Sequence, residues 1–299
     1  MKKGLKRVLL VLLALILVAV AVEGFYLPRY WSDRETFDIS AAEPTDEITV
    51  LSSNVRCWSP LDFFKRSWFY RAKLIVENVK ASAPDIIGFQ EVTPMHYSYL
   101  TKTLRGYDSV IDYRDNSPLH EGCPVFYNVS RFTLVDKGSF WLSETPDVMS
   151  KSWGAAFNRV CSYVILTENA TGKQLVVFNT HLDHVSDEAR IGGIKVILDK
   201  IRAFGGYPSI IMGDLNAGES SSTYKAATEN FLDAKYVCPS TDSGATFQRF
   251  GETLDRENID YFMISKTGFE PLSYKVVRTT YDGVYPSDHF PIELKFKLS

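Results

Sequence analysis

Five short apolar runs each end in groups that can hold a cation or move a proton. Val50-Leu51-Ser52-Ser53-Asn54 ends in Asn, Asp85-Ile86-Ile87-Gly88-Phe89-Gln90-Glu91 in Glu, and Val176-Val177-Phe178-Asn179-Thr180-His181 in His. Ile210-Ile211-Met212-Gly213-Asp214-Leu215-Asn216 carries Asp and Asn, and Tyr285-Pro286-Ser287-Asp288-His289-Phe290 pairs Asp with His. A buried strand that ends in polar groups projects them into a cleft. Carboxylate and amide oxygens suit a hard divalent ion, and Mg²⁺ needs only one or two carboxylates because it keeps several waters. Histidine beside a carboxylate transfers protons near neutral pH. The pattern is that of a hydrolase with a hard metal ion, its site spread over the ends of a sheet.

The elements that must carry these groups follow from periodicity. Strands are predicted over Ile48–Ser53, Ile86–Phe89, Tyr107–Asp112, Pro124–Asn128, Phe132–Phe140, Cys161–Glu168, Gln174–Asn179, Ile210–Met212, Asp260–Ile264, Tyr274–Arg278 and Ile292–Lys297. Asn169-Ala170-Thr171-Gly172-Lys173 reads as a hairpin turn. Helical spacing runs over Tyr70–Ser82 until Pro84, over Met95–Leu104 and over Asp187–Phe204. Many strands with few helices, in two similar halves, imply packed sheets covered by helices.

The order and wording of the five runs resemble the endonuclease/exonuclease/phosphatase superfamily, from about Ile48 to Ser299. Phe140-Trp141-Leu142-Ser143-Glu144-Thr145-Pro146-Asp147 resembles its bacterial branch of generic metal-dependent hydrolases. The resemblance implies a DNase I-like, four-layered α/β sandwich with the site at one edge. It also implies phosphate-ester hydrolysis with Mg²⁺, for which Mn²⁺ is a substitute. Glu91 is the leading metal ligand, with Asn54 and Asp288 beside it. Asp214 would orient or deprotonate the attacking water, and Asn216 would touch the phosphate. The two stand two apart, so in an extended segment they face the same way; as a bare motif, Gly-Asp-Leu-Asn also fits a tight turn. His289 would contact the phosphate, and Asp260 would fix its tautomer. His181 would donate to phosphate oxygens, with His184 behind it or exposed, while His96 and His120 stand outside the chemistry. Arg159 and Arg190 match recurring arginines of the branch, and arginine grips phosphate in a planar fork; Arg190 could equally pair with a helix carboxylate. Some nucleases of the superfamily have an acidic residue where this chain has Arg56, so a second metal there is disfavoured and cationic grip gained.

The chain has 299 residues, 45% apolar and 23% charged, ordinary for a globular protein. No repeat, low-complexity tract or P-loop signature stands out. Met1 to Arg7 is basic, and Val8–Val22 is an unbroken apolar run. Residues 1–27 read as a signal anchor, with Tyr26, Tyr30 and Trp31 as an interfacial belt. A cleaved signal peptide, cut near Ala19-Val20-Ala21, is the alternative. Residues 28–47, with Pro44, read as a tether and 48–299 as the catalytic domain. The expected location is the cell membrane, single-pass, with the domain outside the cytoplasm, or secretion if the leader is removed. Without the four leader cations, 29 basic residues face 36 acidic ones, which argues against a broadly basic nucleic-acid surface. Cys57, Cys123, Cys161 and Cys238 show no metal spacing and read as buried thiols with at most one bridge.

The expected substrate is a phosphodiester, nucleic acid or phospholipid, with no obligate protein partner evident. Exposed aromatics among Trp58, Phe63, Phe64, Trp68 and Phe69 would favour a lipid. A phosphomonoester, or a binding module on the same fold, are the alternatives; all expected polar residues being present argues against the latter.

Overall fold

The computed structural model describes residues 2–32, 34–41, 45–254 and 258–299. Two mixed sheets pack face to face. One has seven strands, with Ile48–Asn54 and Ile86–Gln90 at its centre; the other has six, with Gln174–His181 and Ser209–Asp214 at its centre. Both faces of these central strands are buried, so they read as continuous apolar runs.

Side-chain alternation sorts each run between two cores. Val50, Ile86, Val177, Ile210 and Phe262 fill the space between the sheets. Their neighbours Leu51 and Ile87 face helix Trp68–Ser82 on one side. Phe178, Ile211 and Met263 face helix Asp187–Ala203 on the other. The result is helix, sheet, sheet, helix, the four layers expected. Ser67 and Ser186 cap those helices, accepting from the backbone N–H of Phe69 and Ala189.

Strand direction sets the position of the site. Ile48–Asn54 runs parallel to Ile86–Gln90, with Asn54 opposite Gln90. Gln174–His181 runs parallel to Ser209–Asp214, with Asp214 opposite His181. The polar ends of each parallel pair therefore emerge together. Asp260 opens an antiparallel strand directly opposite Asp214.

The leader forms one helix, Lys2–Ser32. It takes in the start of the stretch read as a tether, because Tyr30 stacks on Tyr99 at 4.8 Å and meets Phe69 edge-on at 5.1 Å. Strand Phe37–Asp38 then pairs with Leu104–Arg105. Pro44, and the side chains of Leu12, Leu15, Ile16, Ala19 and Val22 in the apolar run, lie outside the described residues. Among the described residues no helix is long and apolar enough to cross a membrane. All four cysteines are free. Of the loop aromatics, Trp68 is buried and Trp58 and Phe69 pack on the same core, while Phe63 and Phe64 are exposed.

Candidate active site

Asn54 crosses between the two sheets. Its Nδ2 donates to Glu91 Oε1 at 2.9 Å and to Asp214 Oδ2 at 3.2 Å, while its Oδ1 accepts from the Arg56 N–H. Glu91 Oε2 also accepts from the Cys57 N–H at 2.8 Å. Burial opposes the charge on Glu91, but the donors of Cys57 and Asn54 and the charged His289 outweigh it and hold the carboxyl well below its usual range. Arg56, Glu91 and Asn216 have φ of 57°, 62° and 48°. Left-handed backbone is costly for non-glycine residues and is retained where surrounding structure enforces it.

Gly213 is obligatory at its place. Its φ is +130°, and a Cβ there would lie 1.9 Å from the Thr180 carbonyl oxygen. It lets the strand pass close to Thr180 immediately before Asp214, the strand's last residue. Asp214 and Asn216 do not face the same way along an extended segment. The chain curls back, so that Asp214 Oδ1 accepts the Asn216 N–H at 2.8 Å and Asn216 Nδ2 donates to the Leu182 carbonyl at 3.0 Å. A tight turn replaces strand alternation.

His289 Nδ1 lies 2.9 Å from Asp260 Oδ2, and its Nε2 lies 3.7 Å from Asp214 Oδ2. Burial works against the charged ring, but Asp260, Asp214 and Asp288 outweigh it and raise its pKa to about 10. Asp214 moves up to about 7, because it is buried and faces Asp260. His181, 3.6 Å from Asp214, is pushed well down by burial and by Arg159 and is neutral. The site thus holds one imidazolium, one neutral imidazole and one carboxyl poised near neutrality.

Three buried carboxylates, Asp214, Asp260 and Asp288, gather beside the half-buried Glu91, with His289 ion-paired to two of them and Arg56 3.8 Å from Asp288. Such an excess of negative oxygen donors suits a hard divalent cation. Asp214, Asp260 and His289 bring ligand atoms within 4.8 Å of one another, but an imidazolium bonded to Asp260 has no lone pair to offer. Glu91, Asn54 and Asp288 are the better donor set.

A cavity of about 370 Å³ opens over these groups, lined by Glu91, His181, Asp214, Asn216, Asp288 and His289. Arg56 and Arg159 reach it from the rim, and Arg159 donates to His184 Nδ1 at 3.0 Å. Arg190 does not line it. Helical i,i+3 spacing sets its Nη2 on Asp187 at 3.3 Å, and its Nη1 holds the Asp183 carbonyl at 2.8 Å. Of the two roles expected of Arg190, grip on phosphate and pairing with a helix carboxylate, the structure shows the second. His96 and His120 stand apart, as expected.

Sequence reading missed Arg114, Glu121, Phe157 and Phe247, which also line the cavity. Arg114 pairs with Glu121 at 2.7 Å and lies 4.6 Å from the Phe157 ring centroid. They come from loops without periodicity; only the adjacency of Phe157 to Arg159 gave a signal. It also missed Arg71, wholly buried, whose guanidinium donates to the carbonyls of Val55, Arg56, Arg66 and Pro286.

Residues 57–289 match the Endonuclease/Exonuclease/phosphatase family. An endonuclease/exonuclease/phosphatase family protein from Bacteroides thetaiotaomicron superposes with TM-score 0.78 at 30% identity, over 86% of this chain and all of that one. A mannosyl-6-phosphatase of the same organism superposes with TM-score 0.75 at 30% identity, over 83% of this chain and 99% of that one. The Ccr4 exoribonuclease subunit of the CCR4-Not complex from Aspergillus niger is 28% identical over 207 residues, 58% of this chain but 31% of that protein.

Proposed function

Because this chain belongs to the endonuclease/exonuclease/phosphatase family and is a hydrolase of phosphoester bonds, we propose that it cleaves a phosphodiester with the help of Mg²⁺. One observation carries the diester reading. The cavity over the buried carboxylates meets a second cavity, of about 360 Å³, at Arg56, Phe247 and Asp288. A phosphate held at the carboxylates thus has room on two sides, as two ester substituents require.

Glu91, Asn54 and Asp288 would hold the ion, which when bound neutralises phosphate charge and stabilises the leaving oxygen. Asp214, with its pKa near 7, takes the proton of the attacking water. His289, kept protonated by Asp260, donates from Nε2 to the phosphate, and Arg56 and Arg159 add cationic grip. The water oxygen bonds to phosphorus, the bond to the ester oxygen breaks, and that oxygen takes a proton from solvent, so that a phosphomonoester and an alcohol result and Asp214 returns its proton to solvent. A phosphomonoester substrate is the second reading, favoured by the likeness to the mannosyl-6-phosphatase.

The test is release of nitrophenolate from bis-p-nitrophenyl phosphate and p-nitrophenyl phosphate, with Mg²⁺, with Mn²⁺ and with EDTA. Metal-dependent release, faster from the diester and lost in Glu91→Ala, is expected. Faster release from the monoester selects the second reading; undiminished release in EDTA overturns the metal-dependent mechanism.

We place the domain outside the cytoplasm, held at the membrane by the leader. The support is the basic start, the apolar run and the outward exposure of Leu5, Val8, Leu9, Leu10 and Leu17. Retention in alkali-washed membranes, with the domain open to protease added to intact spheroplasts, is expected; recovery in the cytosol would refute it.

A further inference from the structure

The second cavity has a chemistry of its own. Phe247 stands at the partition, 4.8 Å from the His289 ring centroid. Beyond it lie Phe250, Arg66, Arg249, Glu252 and Asp62. Each guanidinium here is already matched. Arg56 Nε pairs with Asp62 at 3.1 Å, Arg66 with Glu252 at 2.6 Å, and Arg249 lies 3.9 Å from Glu252. Arg66 also sits 5.3 Å from the Phe250 ring centroid.

This pairing separates ligand classes. A second phosphate, or the next phosphate of a nucleic-acid strand, would sit against the carboxylates of Asp62, Glu252 and Asp288 as well as against their arginines. A quaternary ammonium head would meet three guanidinia. An uncharged group rich in hydroxyls meets neither obstacle. Hydroxyls both donate and accept, so they can bond the free oxygens of Asp62 and Glu252 and the free N–H groups of Arg66 and Arg249 without breaking the ion pairs. The C–H face of a saturated ring packs on an aromatic side chain such as Phe247. The volume lies at the small end of ligand sites, enough for one ring rather than a chain.

Resting on the phosphodiesterase reading above, we infer that this cavity binds one ester substituent of the substrate and that this substituent is an uncharged polyhydroxylated ring, a sugar or cyclitol. Glu252 and Arg66 select it by hydrogen bonds.

The experiment uses the full chain and a series of p-nitrophenyl phosphodiesters that share the leaving group. The other substituent is ethyl, choline, thymidine, myo-inositol or glucose. The hydroxylated rings should exceed the ethyl ester in kcat/KM by about 10- to 100-fold, as two or three hydrogen bonds of ordinary strength allow. Glu252→Ala and Arg66→Ala should each shrink that advantage several-fold through KM, with a smaller change for the ethyl ester. Equal rates across the series, or preference for choline or thymidine, overturn the inference while the phosphodiesterase stands. Release from none of the esters removes that reading, and the inference falls with it.

Discussion

Gln90 Nε2 donates to Asn179 Oδ1 at 2.7 Å between the two sheets. Asn179 Nδ2 then donates to the carbonyls of Phe89 and Pro124, each at 2.8 Å. A wholly buried amide therefore bolts the six-stranded sheet to the seven-stranded one directly beneath the site. Gly88 leaves room for it, since a Cβ there would lie 2.8 Å from Asn179 Cγ. Asn179→Leu would remove three buried hydrogen bonds: the shortest of the three that the Gln90 amide donates, and one each to the Phe89 and Pro124 carbonyls. At about 0.5–1.5 kcal/mol net for each hydrogen bond lost, the variant should lose roughly 2–4 kcal/mol, read as a lower urea midpoint at unchanged m-value. An unchanged midpoint would mean that the amide contributes nothing net.

Removing the partner of His289 tests the proton machinery. Asp260→Asn keeps the shape but takes away the charge that counters the ring's burial. With less anionic support the imidazolium is weakened, and kcat should fall about 10²- to 10⁴-fold, the usual contribution of a positioned acid–base group. His289→Ala should cost as much and the double variant little more, because the two act as a unit. Independent, multiplicative losses would show that Asp260 does not work through His289.

Most of the strands and most of the candidate site residues were legible because apolar runs that end in polar residues are local patterns, whereas strand order and register leave no local pattern. The readings of Asn54, Glu91, Asp214 and His289 needed only strand ends. Arg190 stayed open between two roles because a lone arginine on a helix looks the same whether it faces a cleft or its own i−3 carboxylate. The Asp214–Asn216 geometry stayed open because Gly-Asp-Leu-Asn fits both an extended strand end and a tight turn, although Asn at 216 is a residue type that tolerates left-handed backbone. Arg71 was invisible for a different reason: it sits on a helix, and the carbonyls it gathers come from segments as far apart as Val55 and Pro286.

Arg71 is expected to set activity without touching substrate. Its guanidinium ties the turn after Asn54 to the loop that carries Asp288 and His289. Lysine is a point charge and cannot span that fork. Arg71→Lys should fold yet lose about 10-fold or more in kcat, since small misplacement of catalytic groups is costly. KM for a small diester should move less. A normal kcat in a folded variant would reduce Arg71 to a structural role.

His96 gives the fold an acid limit that is separate from catalysis. It is wholly buried, shares a hydrogen bond with Thr93, and its ring centroid lies 3.8 Å from that of Trp68. Burial, reinforced by Arg71, lowers its pKa to about 3. A histidine near 6.5 when unfolded then takes up a proton that the native state refuses. The native state is favoured above pH 6.5 and loses up to about 1.4 kcal/mol per pH unit from this group as pH falls from 6.5 towards 3. His96→Gln keeps a hydrogen-bonding side chain but removes the titration. Between pH 7 and 5, its urea-derived unfolding free energy should decline less steeply than the wild type's, by close to one proton. Parallel declines would place the acid sensitivity in other groups.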